Sequence, residues 1–323
     1  MCIEIAPVSV LRGQLVSLEV ACVVVLLWVT SVAAQHCAGI EVDTRQGDQR
    51  CFKPGAGQAF TDCPDCPEMV VVPVESFTMG ATLEEEVATE REDQVPVKIA
   101  LPFAVGRFAV TRGEFASFVA TTGHRTDGRC YDLSTSESKG RADRDWRSPG
   151  FSQDDRHPVV CVNWNDAKAY VAWLASSTGK RYRLLTETER EYVTRAGSIT
   201  PFWWGTTIST DQANYDGSIS YGGRATGERR KATVPVDSFQ PNPWGLHNVH
   251  GNVWDWTEDC WNPANTGNPG DGSPRLTGDC SLRVLRGAGW NNAPHTLRSA
   301  RREKEPLNVR ASRAGFRVAR TLP

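Results

Sequence analysis

Asn242-Pro243-Trp244-Gly245-Leu246 and, shortly after it, Gly251-Asn252-Val253-Trp254-Asp255-Trp256-Thr257 lie in a region of the chain where regular periodicity is lost. Residues 198–280 are dense in Gly, Pro, Asn and Asp, a composition that by itself signals linker or disorder. The indoles oppose that reading. Trp203, Trp204, Trp244, Trp254, Trp256, Trp261 and, just beyond, Trp290 supply enough apolar area for a compact core built from loops. Each ring also carries an N–H that needs a partner when buried, which suits loop-built cores and ligand grooves. The whole sequence shares this character, with 28 Gly, 19 Pro and 11 Trp in 323 residues and 40% hydrophobic content.

Upstream, the pattern becomes regular. Met69-Val70-Val71-Val72-Pro73-Val74, Ser76-Phe77-Thr78-Met79-Gly80, Val97 to Leu101 and Phe103-Ala104-Val105 read as strands. The acidic run from Glu84 to Asp93 reads as a solvated surface loop, because its carboxylates have no fixed template for a metal. Thr111 to Thr122 reads as a helix opened by a capping box, Thr111 with Glu114, with Phe115, Phe118 and Val119 on one face. Asn165 to Ser176 reads as a second helix, and Thr186 with Glu189 opens a third. Neither a repeat nor a linker of domain-boundary character appears, so one domain over 69–323 is expected.

The first 34 residues read as a signal peptide. Val20 to Ala34 carries no charge, Ser31-Val32-Ala33-Ala34 offers small residues for cleavage, and the apolar run is too short to span a bilayer. No stable membrane span is expected after cleavage, and the body is expected to be periplasmic or secreted. Residues 35–68 form a Cys-rich N-terminal extension. Beyond Cys2 and Cys22, eight cysteines remain, an even number that indicates structural disulfides in an exported chain. Eight cysteines allow on the order of a hundred pairings. Proximity along the chain points to Cys37–Cys51, Cys63–Cys66, Cys130–Cys161 and Cys260–Cys280. Cys63-Pro-Asp-Cys66 lacks both the helical context of a redox dithiol and a second ligand pair for zinc. A formal net charge of -2, from 36 Lys and Arg against 38 Asp and Glu, argues against nucleic acid as a partner.

Taken in order, these segments resemble the formylglycine-generating enzyme, or sulfatase-modifying factor, family. The matching pieces are Phe77-Thr78-Met79-Gly80, Phe108-Ala109-Val110-Thr111, His157 to Ala167, Tyr182 to Tyr192, the two stretches quoted first, Arg286-Gly287-Ala288-Gly289-Trp290 and Gly315-Phe316-Arg317. The resemblance implies an α+β fold related to C-type lectins, low in regular secondary structure and here stapled by disulfides. In active members of that family two cysteines bind Cu(I) and support O2-dependent oxidation of a substrate cysteine to formylglycine. The matching positions here are Asn292 and Leu297. A carboxamide and an isobutyl group cannot replace thiolates on a soft ion, so copper is not expected as a cofactor.

The resemblance also implies calcium, held by Asn248, Gly251, Val253 and Asp255, with Asp in place of the family's Glu; hard oxygen ligands on a tight turn suit that ion. A weaker second set is Asn214, Tyr215 and Glu228, crowded by Arg229 and Arg230. His247 and His250 form an HxxH whose metal reading lacks a third ligand. Trp254, Trp290, Asn292, His295 and Arg298 are candidates to line a groove; Arg298, Arg301 and Arg302 can bind an anionic ligand, and pairing with Glu303 and Glu305 explains them equally. The expected function is an exported member of this family that binds a peptide or small ligand, or modifies one without copper. The alternatives are an oxidase or maturation enzyme acting on a secreted peptide or siderophore-like metabolite, and a lectin-like calcium-dependent module with a glycan ligand.

Overall fold

A computed structural model describes residues 37–44, 48–82, 85, 92–126, 128–134 and 139–323. The expected signal peptide therefore lies outside the described residues, as does most of the acidic run. Strands come first: β1 (Ile40–Asp43), β2 (Gln49–Phe52), β3 (Ala59–Phe60), β4 (Met69–Val71), β5 (Ser76–Met79), β6 (Val95–Lys98) and β7 (Phe103–Gly106). Helix α1 (Arg112–Thr122), β8 (Cys130–Asp132), β9 (Lys139–Arg141), α2 (Trp164–Thr178), β10 (Tyr182–Leu184) and α3 (Glu187–Arg195) follow. The second half holds β11 (Trp254–Trp261), β12 (Asp279–Arg286), β13 (Glu303–Pro306), β14 (Arg310–Ala311), β15 (Ala314–Phe316) and β16 (Val318–Thr321).

A five-stranded sheet in the order β10-β16-β7-β4-β3 and a four-stranded sheet in the order β13-β12-β11-β15 carry the body. Sheet β14-β8-β9 and the hairpins β1-β2 and β5-β6 complete it. The expected boundary at residue 69 falls between two paired strands: Ala59 faces Val70 and Phe60 faces Met69. The Cys-rich extension thus supplies an edge strand of the main sheet, which a short and aperiodic segment did not announce. Four disulfides join Cys37 to Cys51, Cys63 to Cys66, Cys130 to Cys161 and Cys260 to Cys280.

Each helix starts at a reciprocal capping box, Thr111 with Glu114, Asn163 with Asp166 and Thr186 with Glu189. These satisfy orphan N–H donors of the first turn. Helices α1 and α2 close on an aromatic cluster in which Phe115 packs edge-on to Phe118, Trp146 and Phe316. Helix α3 is different, since every residue from Glu187 to Arg195 is buried although most are polar. Its charges are paired: Glu187 receives Nε and Nη2 of Arg302 at 2.6 and 2.9 Å, and Glu191 pairs with Arg195 at 2.8 Å and with Arg286. A buried carboxylate is tolerable only with such partners. Through them α3 is fastened to β12 and to the segment that follows it.

Candidate functional site

The segment matching the family's copper site leaves β12 through a sharp turn. Gly287 has φ +99, and a Cβ there would sit 2.5 Å from a guanidinium nitrogen of Arg190. Asn292 then folds back, its side-chain oxygen accepting from Trp254 Nε1 at 2.8 Å and from the Gly289 N–H at 2.9 Å. A 3₁₀ turn, Pro294–Leu297, follows. Leu297 is fully buried, and its carbonyl accepts from His250 Nδ1 at 2.6 Å. Both positions therefore shape the loop, and neither offers a soft ligand. The eight cysteines among the described residues are all in disulfides.

The expected groove is corrected by this geometry. Trp254 and Trp290 are 2% and 3% exposed, too buried to line an open surface. The Trp290 indole N–H is taken by the Ser312 carbonyl at 2.9 Å. Arg298 is no anion site: its Nη1 donates to Glu85 at 2.7 Å and to Glu92 at 2.8 Å, and its Nη2 donates to Glu92 at 3.0 Å. Only Asn292 and His295 of the five are half-exposed. At its described positions the acidic run is not a solvated loop either. Glu92 is buried against Arg298, and Asp93 accepts from the backbone N–H groups of Asn265 and Thr266 at 2.6 and 2.8 Å.

His250 lies among Phe202 and Trp204, with ring centroids 5.4 and 5.0 Å away. Burial drives its pKa down to about 3, so it stays neutral, donates from Nδ1 and accepts the Trp203 N–H at Nε2. His247 donates instead to the Phe239 carbonyl at 2.9 Å, and burial lowers its pKa as well. Each ring has its own local task, and the pair does not converge on a metal.

The two oxygen sets expected for calcium fare differently. Asn248 Oδ1 and Asp255 Oδ1 are both buried and have no hydrogen-bond partner, and unpaired buried acceptors are what a hard cation satisfies. The other oxygen of Asp255 is held by Arg190 Nε at 2.8 Å, with Arg317 Nε at 3.6 Å. These are the two unpartnered acceptors of the set, in a turn braced by two guanidinium groups, while the Gly251 carbonyl accepts the Val253 N–H at 2.9 Å. In the second set Asn214 Oδ1 is likewise buried without a hydrogen-bond partner. Asn214 is buried, whereas Glu228 is exposed and pairs with Arg230 at 2.9 Å. Tyr215 is buried, and that burial raises its pKa.

A cavity of about 670 Å³ opens beside the segment, between residues 78–82 and residues 199–207. Its wall carries the hydroxyls of Thr78, Thr200, Thr207 and Tyr221, with Glu85 and Arg195 among the charged groups. Arg195 is spent internally, on Glu191, Gly80 and Thr200. Glu85 is held by Arg298, and burial pushes its carboxyl above the usual range against the opposing pull of that guanidinium. The Ser299 N–H donates to the Pro201 carbonyl at 2.7 Å, so the segment after the 3₁₀ turn is bonded to the cavity wall. Sequence reading missed this cavity. Its signal was the pairing of Glu85 and Glu92 with Arg298 and Arg301, residues far apart in the chain.

Residues 56–322 match the model of the sulfatase-modifying factor enzyme 1-like domain, and the chain belongs to that family. It is 31% identical to the formylglycine-generating enzyme of Streptomyces coelicolor over 283 residues, 77% of this chain and 88% of that one. It is also 30% identical to the inactive C-alpha-formylglycine-generating enzyme 2 of Bos taurus over 289 residues, 78% of this chain and 87% of that one. The structure of PvdO from Pseudomonas aeruginosa superimposes with a TM-score of 0.71 at 39% identity, covering 83% of this chain and 99% of that chain. The α+β formylglycine-generating-enzyme fold, with few helices and four disulfides, is therefore the fold of this protein.

Proposed function

We propose that this protein works in the periplasm or outside the cell as a thiol-free member of its family, binding a peptide or small ligand in the cavity beside Glu85. The carrying observation is the pair Asn292 and Leu297. One is consumed by Trp254 and Gly289, and the other is buried, where Cu(I) chemistry would need two thiolates. Four disulfides suit an oxidising compartment. Among the described residues no helix is long and apolar enough to cross a membrane. The test is titration of the purified chain with Cu(I), together with incubation with a cysteine-containing peptide. Absence of tight copper uptake and of aldehyde formation is expected; stoichiometric uptake with conversion of the peptide would overturn the reading.

A second reading, copper-independent maturation of a secreted peptide or siderophore-like metabolite, is favoured by Glu85. A carboxyl with a raised pKa on a cavity wall can accept and return a proton. Oxygen uptake with candidate substrates, abolished in Glu85→Gln, separates a catalyst from a binder. Calcium at Asn248 and Asp255 is part of the same proposal, as a brace for the turn. Thermal unfolding with calcium and with chelator checks it, and identical midpoints would remove the ion.

A further inference from the structure

A second cavity of about 390 Å³, sharing no lining residue with the one beside Glu85, lies between the turn after β6, helix α2, the start of α3 and residues 271–276. Its rim holds Leu101 and Leu276, 64% and 58% exposed, two of the six large exposed apolar side chains among the described residues. Scattered surface leucines need no explanation, but two at the mouth of one cavity form an apolar entrance. Inside are two ion pairs. Lys168 Nζ lies 2.8 Å from both carboxylate oxygens of Glu258, and Arg183 grips Glu189 at 2.6 and 2.8 Å.

In each pair the cation is the outer member. Side-chain exposure is 36% for Lys168 against 19% for Glu258, and 31% for Arg183 against 6% for Glu189. Nor are the cations saturated. An ammonium has three N–H donors, and Lys168 gives two to Glu258. Arg183 commits Nε to Thr321, Nη1 to Leu184 and Glu189, and Nη2 once to Glu189, leaving one of its five N–H groups. Asp271 also lines the cavity, and its Oδ1 accepts the N–H and hydroxyl of Ser273.

We propose that this cavity binds a small monocarboxylate with an aliphatic chain, its head on Lys168 and Arg183 and its chain between Leu101 and Leu276. The anion takes one remaining N–H from each cation, and the chain covers the apolar rim. No part of the cavity depends on residues 292–299, so the site stands or falls apart from the function proposed above.

Calorimetric titration with octanoate, octanol and octylammonium tests it on the full chain. Octanoate is expected to bind saturably at one site, at least tenfold tighter than the other two. Leu101→Asp and Leu276→Asp, both at exposed positions, are each expected to weaken it at least tenfold without changing the melting temperature. No saturable octanoate binding, equal binding of octanol, or unchanged binding in both variants would overturn the assignment. Binding of a peptide with an apolar C-terminal residue where octanoate fails would overturn it too, by assigning the site to a polypeptide partner.

Discussion

The indole N–H of Trp254 points at the side-chain oxygen of Asn292, 2.8 Å away, and the same oxygen receives the N–H of Gly289. Asn292 is the peg that sets the path of its own loop. Asn292→Ala leaves a buried indole donor and a backbone donor unpaired, and a loss of about 2–4 kcal/mol is expected. Urea unfolding measures it; a change below about 0.5 kcal/mol would mean that the loop holds without the peg.

Arg298 carries a related expectation. Its side chain is fully buried between Glu85 and Glu92, so Arg298→Met strands two carboxylates and should cost about 3–5 kcal/mol. Arg298→Met combined with Glu92→Gln should be less damaging than Arg298→Met alone, because one stranded charge is gone. A double variant no more stable than the single one would contradict the ion-pair account.

Glu114 gives a pH dependence with a definite sign. Burial, aided by the nearby Glu68 charge, raises its carboxyl from 4.5 to about 7 despite its bond from the Thr111 N–H. Between those values the folded chain keeps a proton that the unfolded chain has released, so stability falls as pH rises from about 4.5 to 7. Glu114→Gln keeps an acceptor for Thr111 and does not titrate. Its stability relative to the parent should climb across that window and level off above it, as measured by unfolding at a series of pH values.

Gly251 sits at φ +78, and a Cβ there would fall 2.5 Å from the Asn214 carbonyl and 3.0 Å from Leu297 Cδ2. The Asn252 N–H donates to that same carbonyl at 2.8 Å, so the turns at Asn214 and Gly251 are packed together at this point. Gly251→Ala should cost more than about 2 kcal/mol through clash and backbone strain. Preservation of the parent melting temperature would show that the turns can separate.

Much of the fold was legible where local chemistry is self-contained. Helices α1 and α3 follow from Thr111 with Glu114 and Thr186 with Glu189, because a capping box needs only four residues. Helix α2 starts earlier than periodicity placed it, at the box formed by Asn163 and Asp166. Strand β11 was hidden because its residues are buried on both faces, which erases alternation. The groove reading failed for a similar reason: Trp254 and Trp290 are large enough to line a surface, yet their N–H groups found internal acceptors. Long-range charge matching, such as Arg298 with Glu92 across 206 residues, leaves no local trace.

The four disulfides have separations of 14, 3, 31 and 20 residues, so each closes within its own neighbourhood. None staples the five-stranded sheet to the four-stranded one; Met69, Leu184 and Val318 of the first share one apolar core with Trp254, Trp256 and Phe316 of the second, and the buried pair of Arg286 with Glu191 ties α3 to β12. Each cross-link therefore limits only a short loop of the unfolded chain, and bringing the two sheets together is left to burial of the apolar side chains they share.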